Sequence, residues 1–337
     1  GFWWSPESDD INMKKRDQQL GIEADVKALA TDQGRAVGTE GHETARDYIL
    51  GRLESLMVEP YLPEGFEAAY RHGGQDFCNI LAQVTGSDPS LAPVLLGAHY
   101  DTCDSLPGAD DNAAAVAVLL DVAAQMPHEQ PERSVILAFF DAEEPPNFLS
   151  PSMGSIRFFE DQRISDIHCA VIMDLVGHDV PVPGLEDVLF VTGMETDSVL
   201  GEVIQSCKAD EAIRVLPTLN RYVGDMSDHH IFRANEVPYL FLSCGMWPHY
   251  HQDTDTPERL NYAKTEGVAR YLSTLAGAIS SKEMAGEFEG YDTTEIELGY
   301  IRELLLPVAA GMGFTLEVET RKDIDWLVDT MRVQLGL

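Results

Sequence analysis

Five places in the 337-residue sequence put histidines or carboxylates directly after a short apolar run or in the loop that follows one. These side chains are ligands of divalent cations, and a buried carboxylate needs a cation or hydrogen-bond donors to offset its desolvation. Any one of them can be a helix cap or a loop residue, but five together predict a metal site. They are His99 with Asp101, Asp110 with Asp111, Glu143 with Glu144, Asp174, and the loop of residues 248–257 that contains His251.

The residue types in these places predict catalysis by metal ions. Two histidines and three carboxylates, with no cysteine required, suit zinc or a related divalent ion and leave a position for water. Asp101 can hold the His99 imidazole in the right tautomer. Because adjacent carboxylates repel each other, one of Glu143 and Glu144 can bind metal while the other transfers a proton. Two ions that share one carboxylate would activate water and polarise a carbonyl, which is the chemistry of amide hydrolysis.

The elements that must position these residues alternate between strand and helix. Apolar runs predict strands at residues 77–84, 93–98, 134–140, 168–173, 188–191 and 237–242. Helical periodicity predicts helices at residues 22–30, 43–57, 113–126, 154–160, 198–207 and 263–279. The alternation predicts an α/β fold, a three-layer α/β/α sandwich with a mixed, mostly parallel central sheet. Ligands of such sheets gather at the carboxyl ends of the strands, where the five places lie.

The last part of the chain follows a polar connector at residues 281–294. We therefore assign residues 1–282 to a catalytic domain and residues 283–337 to a small C-terminal α+β extension. Within the extension the pattern predicts a helix at 296–310, a strand at 314–318 and a helix at 324–335. These form either a subdomain or a packing arm, and the pattern indicates no function for it.

Charge and composition exclude several classes of protein. There are 57 Asp and Glu against 23 Lys and Arg, a net charge of −34, so we expect no binding to nucleic acid or to anionic membranes. The longest apolar run, residues 113–120, is far shorter than the roughly 20 residues of a membrane helix, so we expect no membrane span. Five cysteines without paired metal spacing argue against a disulfide scaffold. The start at Gly1 lacks the pattern of a signal peptide, so we expect a processed or engineered start, with a removed leader left open.

Several ordered motifs between residues 39 and 279 resemble the zinc-dependent aminopeptidases with two co-catalytic metals, of the aminopeptidase Y type, to which the glutaminyl cyclases are related. After the Glu pair, many members of that family continue quickly into Gly-Leu-Leu-Gly-Ser. This chain has Glu-Glu-Pro-Pro at residues 143–146 and Met-Gly-Ser at 153–155, which is similar to a bacterial subgroup. The metal-binding residues are unchanged by this difference, whereas the substrate pocket need not be the same. The motifs are His-x-Asp at 99–101, Gly-Ala-Asp-Asp at 108–111, the Glu pair, Asp174, and Pro-His-Tyr-His at 248–251.

The resemblance implies a role for each matching residue. Glu143 is the general base that takes a proton from the attacking water, and Asp101 orients His99. Asp228 is a candidate substrate residue and Tyr222 a candidate oxyanion donor, with local structure as the alternative for both. The substrate is a peptide with a free N terminus, and a hydroxide that bridges two zinc ions attacks its first carbonyl. One zinc is held by His99 and Asp174, the other by Glu144 and His251, and Asp111 bridges them, with a cis peptide between Asp111 and Asn112.

Two other functions stay open at the level of sequence. A glutaminyl-peptide cyclotransferase needs a similar ligand set but transfers the amine within the substrate and releases ammonia. A catalytically silent binding protein can keep the same fold, although the complete ligand set and Glu143 argue against it. The resemblance implies a secreted or periplasmic protein, and the sequence does not indicate the oligomeric state.

Overall fold

A single mixed sheet runs through the centre of the computed structural model, which describes residues 21–162 and 166–335. Its nine strands come from the described residues. They are β1 (Glu59–Pro60), β2 (Glu67–His72), β3 (Gln75–Val84), β4 (Val94–His99), β5 (Val135–Phe140), β6 (Cys169–Met173), β7 (Val188–Thr192), β8 (Arg214–Thr218) and β9 (Tyr239–Ser243).

The strand order is β1-β3-β5-β4-β6-β9-β7-β8, and β2 also pairs with β3. The four central strands β5, β4, β6 and β9 are parallel, as is the β7–β8 pair. The pairs β1–β3, β2–β3, β3–β5 and β7–β9 are antiparallel. The mixed sheet predicted from the sequence is confirmed, with parallel pairing at its centre.

Helices cover both faces of this sheet. Alternate strand residues point to opposite faces, so Leu96 and Leu137 join one apolar cluster whereas Leu95 and Ile136 join another. The predicted three-layer sandwich is therefore confirmed. The helices are α1 (Ile22–Leu29), α2 (Glu40–Leu56), α3 (Ala114–Glu129), α4 (Gly154–Gln162), α5 (Ser198–Ser206), α6 (Asn220–Val223), α7 (His229–Ala234), α8 (Tyr262–Ser280), α9 (Thr294–Tyr300), α10 (Leu306–Gly311) and α11 (Arg321–Leu335), with π-helical turns at Ala109–Ala113 and Ile301–Leu305.

The C-terminal extension differs from its prediction. Residues 314–318 pair with no strand among the described residues, so the predicted strand is wrong and the described part of the extension is helical. A strand needs a sheet edge to satisfy its backbone, and α9 packs against the edge strand β8 instead. Apolar side chains of the extension, including Leu298, Val318 and Leu327, belong to the main core cluster. These side chains therefore pack against the rest of the chain, and the division into a catalytic domain and an extension stays a prediction.

None of the described helices is long and apolar enough to cross a bilayer. All five cysteines lie within the described residues and are free thiols, in agreement with the prediction that this fold has no disulfide scaffold.

Candidate metal centre

The carboxyl ends of the parallel strands bring the predicted ligands together. His99 is the last residue of β4, and Asp174 directly follows β6. Glu143 and Glu144 lie in the loop after β5, and His251 lies in the loop after β9. Because β5, β4, β6 and β9 are parallel neighbours, these ends meet at one edge of the sheet.

Asp111 lies between the two histidines. One of its carboxylate oxygens, Oδ1, is 3.3 Å from His99 Nε2, and the other, Oδ2, is 3.1 Å from His251 Nε2. Asp174 Oδ2 lies 3.6 Å from His99 Nε2, and Glu144 Oε2 lies 3.1 Å from His251 Nε2. The five side chains thus form two groups that share Asp111.

The buried polar atoms of these groups point to a cation. Although the contacts are close, they lack hydrogen-bond geometry, and the atoms find no hydrogen-bond partner within the described part of the chain. Buried polar atoms without partners are rare in folded proteins, so such a cluster is a candidate donor set for a metal ion. These atoms are Nδ1 and Nε2 of His99, Oδ2 of Asp111, Oε1 of Glu144, Oδ1 of Asp174 and Nε2 of His251.

Asp101 fixes the loop that carries the Glu pair. Its Oδ1 accepts the backbone N–H of Glu143 and its Oδ2 accepts that of Glu144, both at 3.0 Å. The same carboxylate lies 3.3 Å from His99 Nδ1. Asp101 therefore couples the position of a histidine ligand to the position of both glutamates.

Two sets of hydrogen bonds hold the turn that carries Asp111. The Asp255 carboxylate accepts the backbone N–H of Asp110 at 2.8 Å and that of Asp111 at 3.1 Å. The Asn112 side-chain amide donates to the carbonyl of Met173 at 3.0 Å. The peptide bond between Asp111 and Asn112 is cis, as the family resemblance implies.

Burial is the main influence on the acidic groups of the site. Burial, reinforced by the charges of Asp174 and Glu144, holds the pKa of Glu143 well above its usual value. Burial and the charge of Asp111 raise the pKa of Glu144 to about 8. The nearby carboxylates of Asp111 and Glu144 raise the pKa of His251 to about 10. A bound cation would reverse these shifts because it stabilises the carboxylates and the neutral imidazoles that ligate it.

The two predicted substrate residues lie in different surroundings. Asp228 is fully buried at the start of α7, and burial raises its pKa to about 7. The Tyr222 hydroxyl contacts the Asp325 carboxylate of α11 and accepts a hydrogen bond from Arg221 at 2.9 Å. The structure thus places the Tyr222 hydroxyl against the extension, and its role as an oxyanion donor stays a prediction.

Two residues near the site have no role in the sequence prediction. The Tyr250 ring stacks on His251 with centroids 3.9 Å apart, and only its place in the Pro-His-Tyr-His motif signals it. The Cys103 thiol lies within ligand range of Glu144 and His251.

Arg35 is a third residue that sequence reasoning misses. Its guanidinium is fully buried and donates to the carbonyls of Tyr100 at 2.7 Å, Pro107 at 2.8 Å and Gly108 at 2.9 Å. These carbonyls lie next to His99 and just before the Asp111 turn. No motif surrounds Arg35, and these three partners are 65 to 73 residues away in the chain, so no local signal could have identified it.

Comparison with protein families identifies one that matches most of the sheet. The model of peptidase family M28 matches residues 79–276, the stretch that holds all five predicted ligands. Two curated relatives align with more than two thirds of this chain. The uncharacterized protein YfbL of Escherichia coli is 28% identical over 69% of this chain and 82% of its own length. A glutaminyl-peptide cyclotransferase of Drosophila melanogaster is 24% identical over 72% of this chain and 76% of its own length.

Solved structures share the fold at low sequence identity. The LapA aminopeptidase of Legionella pneumophila superposes with a TM-score of 0.64 at 16% identity, covering 84% of this chain and 78% of that one. A Zn-dependent exopeptidase of Parabacteroides distasonis superposes with a TM-score of 0.60 at 17% identity, covering 78% of this chain and 97% of that one. Both likenesses support the α/β architecture described above.

Proposed function

Starting from the fact that the chain belongs to peptidase family M28, we propose that it is a metal-dependent aminopeptidase that removes N-terminal residues from peptides. The observation that carries the proposal is the position of Asp111, which presents one carboxylate oxygen to His99 and the other to His251. A carboxylate shared in this way suits two cations a few ångströms apart, the arrangement used in two-metal hydrolases.

The donor types indicate which ions the site takes. Imidazole nitrogens and carboxylate oxygens without thiolate suit zinc, so we assign two zinc ions per chain. His99 and Asp174 would hold one ion, Glu144 and His251 the other, and Asp111 both. When bound, the ions polarise the substrate carbonyl and lower the pKa of water. Secretion or periplasmic export, implied by the family resemblance, is part of the same proposal.

Glu143 is the residue we assign to proton transfer. It is buried, it lies next to a proposed ligand, and its Oε2 is 3.8 Å from His99 Nε2. Its backbone N–H is fixed by Asp101, so its carboxylate has a set place beside the ligands. From there it takes a proton from the attacking water and later donates a proton to the leaving amine.

The cyclotransferase is the second candidate, and the relative from Drosophila melanogaster is the observation that favours it. Both reactions use a metal-polarised carbonyl and a carboxylate that moves protons, so the ligands alone do not separate them. The substrate does, because cyclisation needs an N-terminal Gln and yields a pyroglutamyl product with ammonia.

The test is a panel of aminoacyl reporter substrates with a peptide beginning with Gln beside them. We expect zinc-loaded protein to release the reporter from several aminoacyl groups, and a chelator to abolish this release. N-terminal blocking by acetylation should also abolish it, since an aminopeptidase needs the free amine. Cyclised Gln product without reporter release would instead establish the cyclotransferase, and silence on every substrate from zinc-loaded protein would contradict both.

Variants of the Glu pair separate proton transfer from metal binding. Glu143→Gln should lower kcat by about 10²–10⁴-fold, the usual loss when a general base is removed, with zinc content unchanged. Glu144→Gln should lower the zinc content itself, measured by elemental analysis after dialysis. Glu160→Gln, which changes an exposed carboxylate of α4, is the control and should alter neither value.

A further inference from the structure

A cavity of about 300 Å³ opens beside the metal centre. The proposed ligand Asp174 lines it, as does Tyr250, whose ring stacks on His251. Its volume is at the lower end of the roughly 300–1,000 Å³ of small-molecule sites. A group that enters this cavity therefore lies next to the reacting carbonyl.

The wall of the cavity has two parts. One part comes from the strand ends and includes Phe190 of β7, Leu216 of β8 and Phe241 of β9. The other part comes from residues that follow position 276, where the family match ends. These residues are Ile301, Leu305, Ile324, Leu327, Val328 and Met331.

Apart from the proposed metal ligand Asp174, the charged groups on the wall are already hydrogen-bonded or are exposed to solvent. Glu297 is buried and accepts hydrogen bonds from Arg321 at 2.9 Å and from Thr293 at 2.8 Å. Arg332 also lines the cavity, but its residue is exposed to solvent. An apolar side chain in the cavity would be desolvated at little cost, whereas a charged one would lose its hydration without a free partner.

Helix α11 is fixed in place over the cavity. The Asp323 carboxylate accepts the backbone N–H of Thr320 at 2.8 Å just before the helix begins. Asp325 contacts the Tyr222 hydroxyl and Arg221, which ties the next turn to α6. Ile324 and Leu327 are 1% and 5% exposed and pack into the main core. The helix is therefore part of the packed structure.

We propose that α11 forms the outer wall of the pocket that receives the side chain of the substrate's N-terminal residue, and that it selects uncharged aliphatic or aromatic side chains. This inference rests on the proposed aminopeptidase function and deepens it. It assigns substrate selection to a segment outside the family match, through Leu327, Val328 and Met331.

Two valines of α11 give a matched test. Val328 lines the cavity, whereas Val333 is 85% exposed. Val328→Phe should fill the pocket and lower kcat/KM for leucyl and phenylalanyl reporters by about tenfold or more, the scale on which one apolar pocket contact discriminates. The alanyl reporter should change by less than about threefold, because a methyl group needs little of the space. Val333→Phe should leave all three values near those of wild type.

A second variant enlarges the pocket instead of filling it. Met331 is half-buried, so Met331→Ala enlarges the pocket without creating a cavity in the core. It should raise the ratio of phenylalanyl to leucyl kcat/KM. If Val328→Phe unfolds at a lower temperature than wild type, the Met331→Ala ratio decides alone.

The outcomes separate this inference from the proposed function. A wild type that cleaves no aminoacyl substrate contradicts the aminopeptidase itself. A wild type that cleaves them, with leucyl to alanyl ratios equal in wild type and Val328→Phe, contradicts the pocket assignment alone. A wild type that prefers lysyl or aspartyl reporters over leucyl contradicts it as well.

Discussion

Asp111 presents its two carboxylate oxygens to two histidines that lie 152 positions apart in the sequence, His99 at 3.3 Å and His251 at 3.1 Å. The sequence predicts the types of these residues and their places after strands. Which oxygen faces which histidine follows from the turn that Asp255 holds through two backbone N–H groups. That contact joins residues 144 to 145 positions apart, so it lies beyond any local pattern.

Asp101 is the residue that couples His99 to the Glu pair. Asp101→Asn replaces one acceptor oxygen by an NH₂ donor, so one backbone N–H, of Glu143 or Glu144, loses its partner. We expect kcat to fall by about 10–100-fold, with most of the zinc retained, since such supporting contacts typically contribute that much to activity or affinity. The measurement is kcat with zinc content on the same samples, with the exposed Asp76→Asn as control. Unchanged kcat would show that the carboxylate does not position the pair.

Glu195 gives a pH dependence that is independent of the metal centre. Burial raises its pKa to about 7, and its Oε1 accepts the Asn220 backbone N–H at 2.6 Å. Between its usual pKa of about 4.3 and 7, the folded state binds more protons than the unfolded state, so this group lowers stability as pH rises through that window. Glu195→Gln removes the effect while keeping an acceptor oxygen.

We expect the Tm of Glu195→Gln to match wild type at pH 4 and to exceed it by a few degrees at pH 8, on the scale of about 2–4 °C per kcal/mol. Thermal unfolding by circular dichroism across this range measures the difference. The exposed Glu160→Gln should show no such divergence. A lower Tm for Glu195→Gln at pH 8 would mean that the charged form is stabilised.

At the scale of elements, the segment between β4 and the Asp111 turn depends on one side chain. Arg35 donates to the carbonyls of Tyr100, Pro107 and Gly108, which flank His99 and Asp111. Arg35→Lys cannot satisfy all of them, so we expect a loss of about 2–4 kcal/mol in the free energy of unfolding, from buried acceptors left without donors. Zinc affinity, measured by competition with a chelator, should fall by about 10–100-fold. Arg71→Lys changes an exposed arginine of the β2–β3 hairpin and should alter neither quantity.

The elements of the central sheet could be predicted because their apolar runs are long and continuous. The predicted strand at residues 93–98 and the observed β4 (Val94–His99) differ by one position at each end. Three strands escape prediction, since all lie at sheet edges and bury little: β1 (Glu59–Pro60), β2 (Glu67–His72) and β8 (Arg214–Thr218). A half-buried edge strand carries a weak pattern.

In the extension, by contrast, the sequence predicts a strand that the described structure does not contain. Residues 314–318 have the apolar composition of a strand, yet Phe314 is 59% exposed and Val318 is buried in the main core. Whether such a segment forms a strand depends on a free sheet edge, which is a tertiary property. The contribution of α11 to the cavity is likewise set by packing between segments more than 100 residues apart in the sequence, such as Phe190 and Leu327.

At the scale of the whole molecule, the net charge of −34 sets how stability responds to salt. Like charges on a folded surface repel each other, and salt screens this repulsion over a Debye length of about 10 Å at 0.1 M. We expect the Tm to rise between about 10 mM and 0.5 M sodium chloride, measured on metal-free and zinc-loaded protein. A Tm that falls with salt would show that attractive surface ion pairs outweigh the net repulsion.

The most direct single measurement adds zinc back to metal-free protein and follows hydrolysis of a leucyl reporter. We predict that activity is absent without metal, returns as zinc is added, and reaches its plateau at two equivalents per chain. Glu143→Gln should take up the same two equivalents without activity. Full activity in the metal-free protein, or a plateau at two equivalents with unchanged activity in Glu143→Gln, would contradict a shared-carboxylate metal centre with Glu143 as its proton carrier.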